Sequence, residues 1–198
     1  MSETKRTYRM RDRAKSQEET RKKIVEAAMH LHEEVGPRAT TISAIAERAG
    51  VQRLTVYRHF PDETAVFQAC TSHWLSLNPP PDPRDWAEIP DAHSRFKAAI
   101  GAFYVYYSQT ERMWTASYRD IDDVPALQQP MAEIAAFLKS VGDDLIAAFD
   151  PKGRNPALAA TIRHALQFST WADLESQGLG EPEKTDVIMD WLTGTERT

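Results

Sequence analysis

Cysteine is nearly absent: Cys70 stands alone among 198 residues. One thiol closes no intrachain disulfide and leaves a zinc ribbon or finger without ligands. Long apolar runs are missing too, and none approaches the ~20 residues that a membrane span needs. The first 15 residues carry Lys5, Arg6, Arg9, Arg11, Arg13 and Lys15 with no apolar stretch behind them, unlike a secretory signal. A reducing cytoplasm is therefore the expected setting. Strand signals are lacking: no stretch alternates strictly for more than a few residues, and no Asn-Gly or Asp-Gly hairpin turn occurs. Common enzyme motifs are missing as well, with no Gly-rich phosphate loop, no G-x-S-x-G and no H-E-x-x-H. His30 and Glu34 share one helical face, but two ligands do not make a metal site. Asp122-Asp123 and Asp143-Asp144 are adjacent pairs that point to different faces of a helix. No catalytic residue, metal or cofactor is expected.

Present instead is a core-forming composition, 41% hydrophobic and 27% charged, enough for one domain or two small ones. The net charge of −5 hides an asymmetry. Residues 1–60 hold 13 Lys+Arg against 8 Asp+Glu, giving +5, and residues 61–198 hold 11 against 21, giving −10. A basic end on an acidic body points to one end meeting a polyanion, or to a solvated basic tail.

Nearly every segment reads as helix. Ser16 and Glu19 have capping-box spacing, and Ile24, Ala28, Leu31 and Val35 then form one apolar stripe that ends at Gly36-Pro37. Thr41 can cap a short second helix with Ile45, Ala46 and Ala49 inward. A third runs from about Gln52 to His59 with Val56 and Phe60 inward. Pro61-Asp62 opens a fourth, striped by Val66, Phe67, Cys70 and Trp74. The prolines from 79 to 83 cannot be helical, so residues 78–90 read as a stiff linker. Phe96, Ile100, Phe103 and Tyr107 stripe the next helix, and a shorter piece spans about 111–120. Ile134, Phe137, Leu138, Val141 and Leu145 mark another helix. Residues 156–176 read as one long helix with two apolar faces, and Val187, Ile188, Trp191 and Leu192 mark the last. The expectation is an all-α chain of about nine helices.

Residues 41–60 carry the chemistry. Two short helices, each too short to be stable alone in water, meet at Gly50, where a positive φ is cheap. Such a pair braces one helix on a DNA backbone and sets the other in the major groove. Its outward positions, Gln52, Arg53, Thr55, Arg58 and His59, are all donors or acceptors. An arginine there can pair with guanine, worth ~1–3 kcal/mol of discrimination.

Residues 20–75 resemble the DNA-binding domain of the TetR/AcrR family of transcriptional regulators. The matching positions are Ile24, Ala27-Ala28, Gly36, Thr41, Ile45-Ala46, Ala49-Gly50-Val51, Thr55-Val56-Tyr57 and His59-Phe60. The resemblance implies that Thr41, Ser43, Thr55, Tyr57 and His59 meet the DNA backbone. It implies that Gln52, Arg53, Leu54 and Arg58 lie nearest the base edges. Two residues depart from the pattern. Gln52 stands where the family commonly has the better cap Ser or Thr, and Glu63 stands where a phosphate-touching lysine is usual. The implied organisation is a basic flexible arm (1–15), a helix-turn-helix domain (16–62) and a helical effector-binding and dimerisation domain (63–198). The arm either tracks a minor groove or phosphates or is a solvated tail.

The resemblance also implies an effector cavity in the body and a homodimer on a palindromic operator. Aromatics make the expected cavity wall: Trp74, Phe103, Tyr107, Trp114, Tyr118, Phe137, Phe168 and Trp171. They suit a small hydrophobic or aromatic effector, and ordinary core packing is the other reading. Leu158, Ile162, Ala165, Ser169, Ile188, Trp191 and Leu192 are the expected dimer interface. The resulting function is a ligand-responsive repressor. The alternatives are a DNA-binding regulator without an effector, or a small helical enzyme.

Overall fold

The structure is a computed structural model that describes the backbone of residues 3–196 and the side chains of residues 12–196. Among the described residues there are ten helices and no strand. They form two compact units. The first comprises Met1–Asn78 and Thr115–Gln128, and the second Pro79–Trp114 and Gln129–Thr198.

In the first unit, α1 (Glu3–Glu34) begins at Glu3 rather than at Ser16. Ser16 lies inside the helix, where its carbonyl accepts a hydrogen bond from the Thr20 hydroxyl at 2.8 Å. A capping box competes with continued helix, and here the preceding residues extend the backbone ladder. The side chains of the basic run up to Arg11, and with them most of the expected arm, lie outside the described residues. Ile24 and Ala28 are fully buried, but Val35, beyond the last helical residue, is exposed. His32 takes an inward position in the last turn instead.

Three short helices pack on α1: α2 (Ile42–Arg48), α3 (Arg53–His59) and α4 (Glu63–Leu77). The α4 stripe of Val66, Phe67, Cys70 and Trp74 is buried as expected. Fully burying such side chains stabilises by about 1.5–3 kcal/mol each. Because α4 packs against α1, it belongs with the N-terminal helices, and the unit extends past residue 62 to Asn78. Residues 115–128 close the unit. Asp120, almost fully buried, accepts from the Arg38 amide at 3.0 Å and from Arg119 Nε at 2.8 Å. The Arg119 guanidinium donates to the Val35 carbonyl at 3.0 Å. Gly36 is required at this junction. Its φ is +92°, and a Cβ there would lie 1.8 Å from the Arg119 guanidinium.

In the second unit, α5 (Arg84–Ala87) interrupts the expected linker. Pro83 precedes the helical turn, and Trp86 drives its formation by burying all but 1% of its surface. Next comes α6 (Ala92–Asp120), a single helix through the region expected to break near residue 111. The Phe96, Ile100, Phe103 and Tyr107 stripe is buried as expected. Then follow α7 (Pro125–Phe149), α8 (Pro156–Ala165), α9 (Phe168–Ser176) and α10 (Glu181–Glu196). The unit boundaries fall inside α6 and α7.

The segment 156–176 is two helices, not one. Gln167 is extended (φ −77°, ψ 140°), which ends one ladder and starts another. Two carbonyls at the break take side-chain donors, Tyr104 Oη to Ala165 at 3.2 Å and Tyr107 Oη to Leu166 at 2.7 Å, and the His164 carbonyl, which accepts from the Gln167 amide at 3.0 Å, also accepts from Thr170 Oγ1 at 2.6 Å. Buried carbonyls need such partners, and two tyrosines one turn apart on α6 supply them.

Candidate nucleic-acid interface

The α2–α3 corner is built by local rules. Thr41 is extended, and its hydroxyl accepts from the Ala44 amide at 3.2 Å, capping α2. At the other end Gly50 adopts φ +66°. The Val51 amide donates to the Ala46 carbonyl at 2.9 Å and the Gly50 amide to Glu47 at 3.1 Å. This is the double bond pattern of a Schellman ending, which needs a left-handed residue after the helix. Beneath the corner, Ile42, Ile45, Ala46, Val56 and Phe60 are buried. Outside it, Arg48 pairs with Glu34 at 2.7 Å. The Arg21 guanidinium lies 4.9 Å from the Phe60 ring centroid.

With its inner face held, α3 presents its outer face. Gln52, Arg53, Leu54, Tyr57 and Arg58 are exposed, and Thr55 and His59 half-buried. Thr41 and Ser43 are exposed on the α2 side. Arg53 and Arg58 form no ion pair with a carboxylate among the described residues. Leu54 is 60% exposed, more than any other large apolar side chain described. A leucine in that position fits apolar contact with a base methyl. Gln52 occupies the α3 N-cap with no side-chain bond to the backbone, so its amide is uncommitted to the helix.

The Glu63 departure has a local cause. Asp62 caps α4 by accepting from the Ala65 amide at 2.8 Å, and Glu63 is the first helical residue. A carboxylate at a helix N-terminus stabilises by about 0.3–1 kcal/mol, so the residue supports α4 where a lysine would oppose its dipole.

The expected effector residues divide between the units. Trp74 and Tyr118 lie in the first, where Trp74 Nε1 donates to Glu33 at 2.9 Å. The other six gather in the second. Tyr107 has Phe168, Phe103, Trp171 and Trp114 at centroid distances of 5.5, 6.0, 6.2 and 6.4 Å. Phe137 adds to the group 6.3 Å from Phe103. Sequence reasoning overlooked three members. Trp86 packs 6.0 Å from Phe103, and its Nε1 is buried without a hydrogen-bond partner among the described residues. Tyr104 holds the α8 carbonyl. Lys184 lies 1% exposed, 5.1 Å over the Trp171 ring, paired with Glu175 and with Glu181 at 2.8 Å. Burial lowers the Lys184 pKa, but its hydrogen bonds to the two carboxylates outweigh that and hold it above its usual value. Trp86 was hidden by the prolines before it, and nothing in the local pattern marks Lys184 as inward.

The expected dimer residues also divide. Leu158, Ile162, Ala165, Ile188 and Leu192 are each at most 3% exposed within their own chain. They lie where α8, α9 and α10 pack on one another. The break at Gln167 turns two apparent apolar faces into one interior. Ser169 and Trp191 remain exposed, and Trp191 stacks on His164 with centroids 6.5 Å apart.

His30 lies 3.7 Å from Glu33, Glu34 pairs with Arg48, and among the described residues no three metal-ligating side chains cluster. No described helix is long and apolar enough to cross a membrane.

A capped brace helix, a tight glycine corner and an exposed helix bearing two arginines without an ion pair among the described residues have the geometry of a helix-turn-helix motif. Comparison with known proteins narrows the class. Residues 24–70 match the model of the bacterial regulatory proteins of the tetR family. Over 85 residues the chain is 36% identical to the HTH-type transcriptional regulator SrpR of Pseudomonas putida, covering 40% of each chain. Over 88 residues it is 33% identical to the class C tetracycline repressor protein of Escherichia coli, covering 42% of this chain and 40% of that one. These matches thus span about 40% of the relatives' length. The fold is shared more widely. A regulator from Clostridium perfringens superposes with a TM-score of 0.66 at 16% identity, covering 87% of this chain and 97% of that one. A multidrug binding protein, EbrR, solved with imidazole, gives 0.50 at 18% identity over 88% of each chain. Residues 24–70 thus carry the DNA-binding domain of the tetR family of bacterial regulatory proteins.

Proposed function

We propose that the protein is a repressor that binds a palindromic operator as a dimer and leaves it when a small hydrophobic or aromatic effector binds. The observation that carries the reading is the outer face of α3, where Arg53, Arg58, Leu54 and Gln52 are exposed and uncommitted. Arg53, Arg58, Leu54 and Gln52 read bases. Thr41, Ser43, Thr55, Tyr57 and His59 hold phosphates. The twofold contact uses the exposed Trp191 with His164 and Ser169, and places two α3 helices about one DNA turn apart, ~34–36 Å. As a DNA-binding protein it works in the cytoplasm, and it is not an enzyme.

The aromatic group of the second unit supports the effector. Pockets for small molecules are mostly apolar with a few polar groups. Trp86 Nε1 is such a group, buried and unpaired. A buried unsatisfied donor costs about 1–3 kcal/mol, which a ligand oxygen would recover. Release follows if the effector favours the state that fits DNA poorly. The expected effector is therefore uncharged, largely apolar, and carries a hydrogen-bond acceptor.

The test is selection of bound duplexes from a random DNA pool by the purified protein near physiological salt. An inverted repeat should be enriched, with affinity falling steeply as salt rises because neutralised phosphates release counterions. The selected duplex then serves to screen neutral aromatic compounds by release. Weak binding without an enriched repeat would overturn the operator reading.

A further inference from the structure

We infer that a cavity inside the first unit, between α1, α2, α4 and the start of α7, binds a small neutral molecule carrying an oxygen acceptor, such as a short ketone or alcohol. The cavity holds about 250 Å³ and is walled by His32, Ile42, Ile45, Thr64, Phe67 and Ala126. That is below the ~300–1,000 Å³ of drug-sized pockets, and it suits a ligand of roughly six to eight heavy atoms at ~30 Å³ per water-sized group.

His32 sets the chemistry of the wall. It is 95% buried, being 5% exposed, and its Nδ1 lies 3.1 Å from the Cys70 Sγ. Burial, and then the nearby Glu33 charge, push the thiol up to about 12, so Cys70 keeps its proton and can donate it to Nδ1. Burial pulls His32 down to about 4 against an opposing pull from Asp120, so the ring is neutral. A neutral imidazole carries one proton. With Nδ1 accepting from the thiol, that proton sits on Nε2. Nε2 makes no hydrogen bond to another described residue. The Phe67 ring, 5.2 Å from the imidazole, helps hold its plane. The wall therefore carries the His32 imidazole and the Thr64 hydroxyl among Ile42, Ile45, Val66 and Phe67.

Charge selects against ions. Glu63 stands on the lining and disfavours a carboxylate, which a neutral imidazole does not offset. A cation would lose its hydration against Ile42, Ile45 and Phe67 with no buried carboxylate in the wall to receive it. A neutral acceptor alone satisfies Nε2 at no charge penalty. Because α2 and the first turn of α4 flank the reading helix in sequence and share this wall, occupancy reaches the DNA-binding domain directly. The site shares no residue with the aromatic group of the second unit and does not depend on the effector proposed there.

The test is NMR titration of the whole protein with cyclopentanone, and with butyrate and cyclopentylamine as charged counterparts of similar size. The readouts are the His32 ring and the Ile42 and Ile45 methyl resonances. Cyclopentanone should shift them saturably with a dissociation constant on the order of millimolar, reasonable for so few atoms. The two ions should not. In His32→Phe the methyl shifts should need at least ~10-fold more ketone, since one hydrogen bond to a buried donor is worth about 1.4 kcal/mol or more. Ala126→Trp should abolish them by filling the space. Thr64→Trp, at an exposed position on the rim, should do the same should Ala126→Trp fail to fold. Non-saturating shifts in the parent, undiminished binding in both tryptophan variants, or butyrate binding as tightly as the ketone would each overturn the site.

Discussion

The interior of the first unit is mostly aliphatic and small, with Ile24, Ala28, Ile45, Ala46 and Val56 at its centre. The interior of the second is a chain of rings running from Trp86 through Phe103, Tyr107 and Phe168 to Trp171. Small residues let short helices cross closely and hold a fixed outer surface, which suits a rigid DNA shape. Large rings fill space through long-range pairs, and their polar edges must be satisfied one by one. Tyr104 and Tyr107 do this on the α8 carbonyls, while Trp86 does not. The α3 face of the first unit therefore shows its polar groups outward, whereas the ring chain of the second keeps its polar edges inside. Mutations should separate the two cleanly.

The largest stability effect should come from the ring chain. Trp171→Ala removes a side chain that touches Tyr107 and Phe168 and underlies Lys184. Loss of a buried tryptophan costs about 3–5 kcal/mol. Urea unfolding followed by far-UV circular dichroism should show it as a lower midpoint. A loss below ~1 kcal/mol would mean that the rings are loosely packed rather than a core.

Next is a pH effect confined to the first unit. The folded His32 has a pKa near 4, below its usual 6.5, chiefly because burial disfavours the charged ring. Between those values the unfolded chain binds the extra proton, so stability falls as pH drops from about 6.5 toward 4. At 1.36 kcal/mol per unit the full window is worth about 3 kcal/mol. Asp120 and Glu33 are the charged groups that bear on this pair. Denaturation at pH 7 and pH 5 should differ in the parent, and His32→Phe should flatten that difference.

On α3 the outcome should be the reverse, with function lost and stability kept. Arg53→Ala should weaken binding to the selected operator by about 10- to 100-fold, matching ~1–3 kcal/mol of base discrimination. Tyr57→Phe should lose less, and uniformly across sequences, since phosphate contacts carry no sequence information. Because both side chains are exposed, unfolding midpoints should stay within ~0.5 kcal/mol of the parent. Fluorescence anisotropy on specific and scrambled duplexes separates the two results. Equal binding by parent and Arg53→Ala would break the assignment of α3 as the reading helix.

This asymmetry also explains what could be read in advance. In the first unit the signals are local: a Thr41 cap, a Gly50 corner and inward residues at helical spacing each act within a few positions. Those elements appear where the spacing predicts them. In the second unit the decisive pairings join distant parts of the chain. The break at Gln167 is stabilised by tyrosines on another helix, Trp86 is buried by Phe103, and Lys184 is drawn inward by two carboxylates and a ring. No window of neighbouring residues encodes those pairings, so the spacing alone does not tell that the apolar stripes of α8 and α10 are buried within their own chain. Even in the first unit the local rule failed at Ser16, where a capping motif lies within a continuous helix.

The smallest expected effect sharpens the comparison most. Gln52 is the α3 N-cap yet makes no capping bond, whereas Thr41 caps α2. Thr41→Ala should therefore cost about 1 kcal/mol. Gln52→Ser should gain roughly 0.5–1 kcal/mol by supplying the missing acceptor for a first-turn amide. If the glutamine amide reads a base edge, the more stable variant should bind operator less tightly and relax specificity at one base pair per half-site. Repeating the duplex selection with that variant reads out both. Higher stability with unchanged specificity would show that position 52 is a tolerated poor cap, and would leave Arg53, Leu54 and Arg58 as the base-reading set.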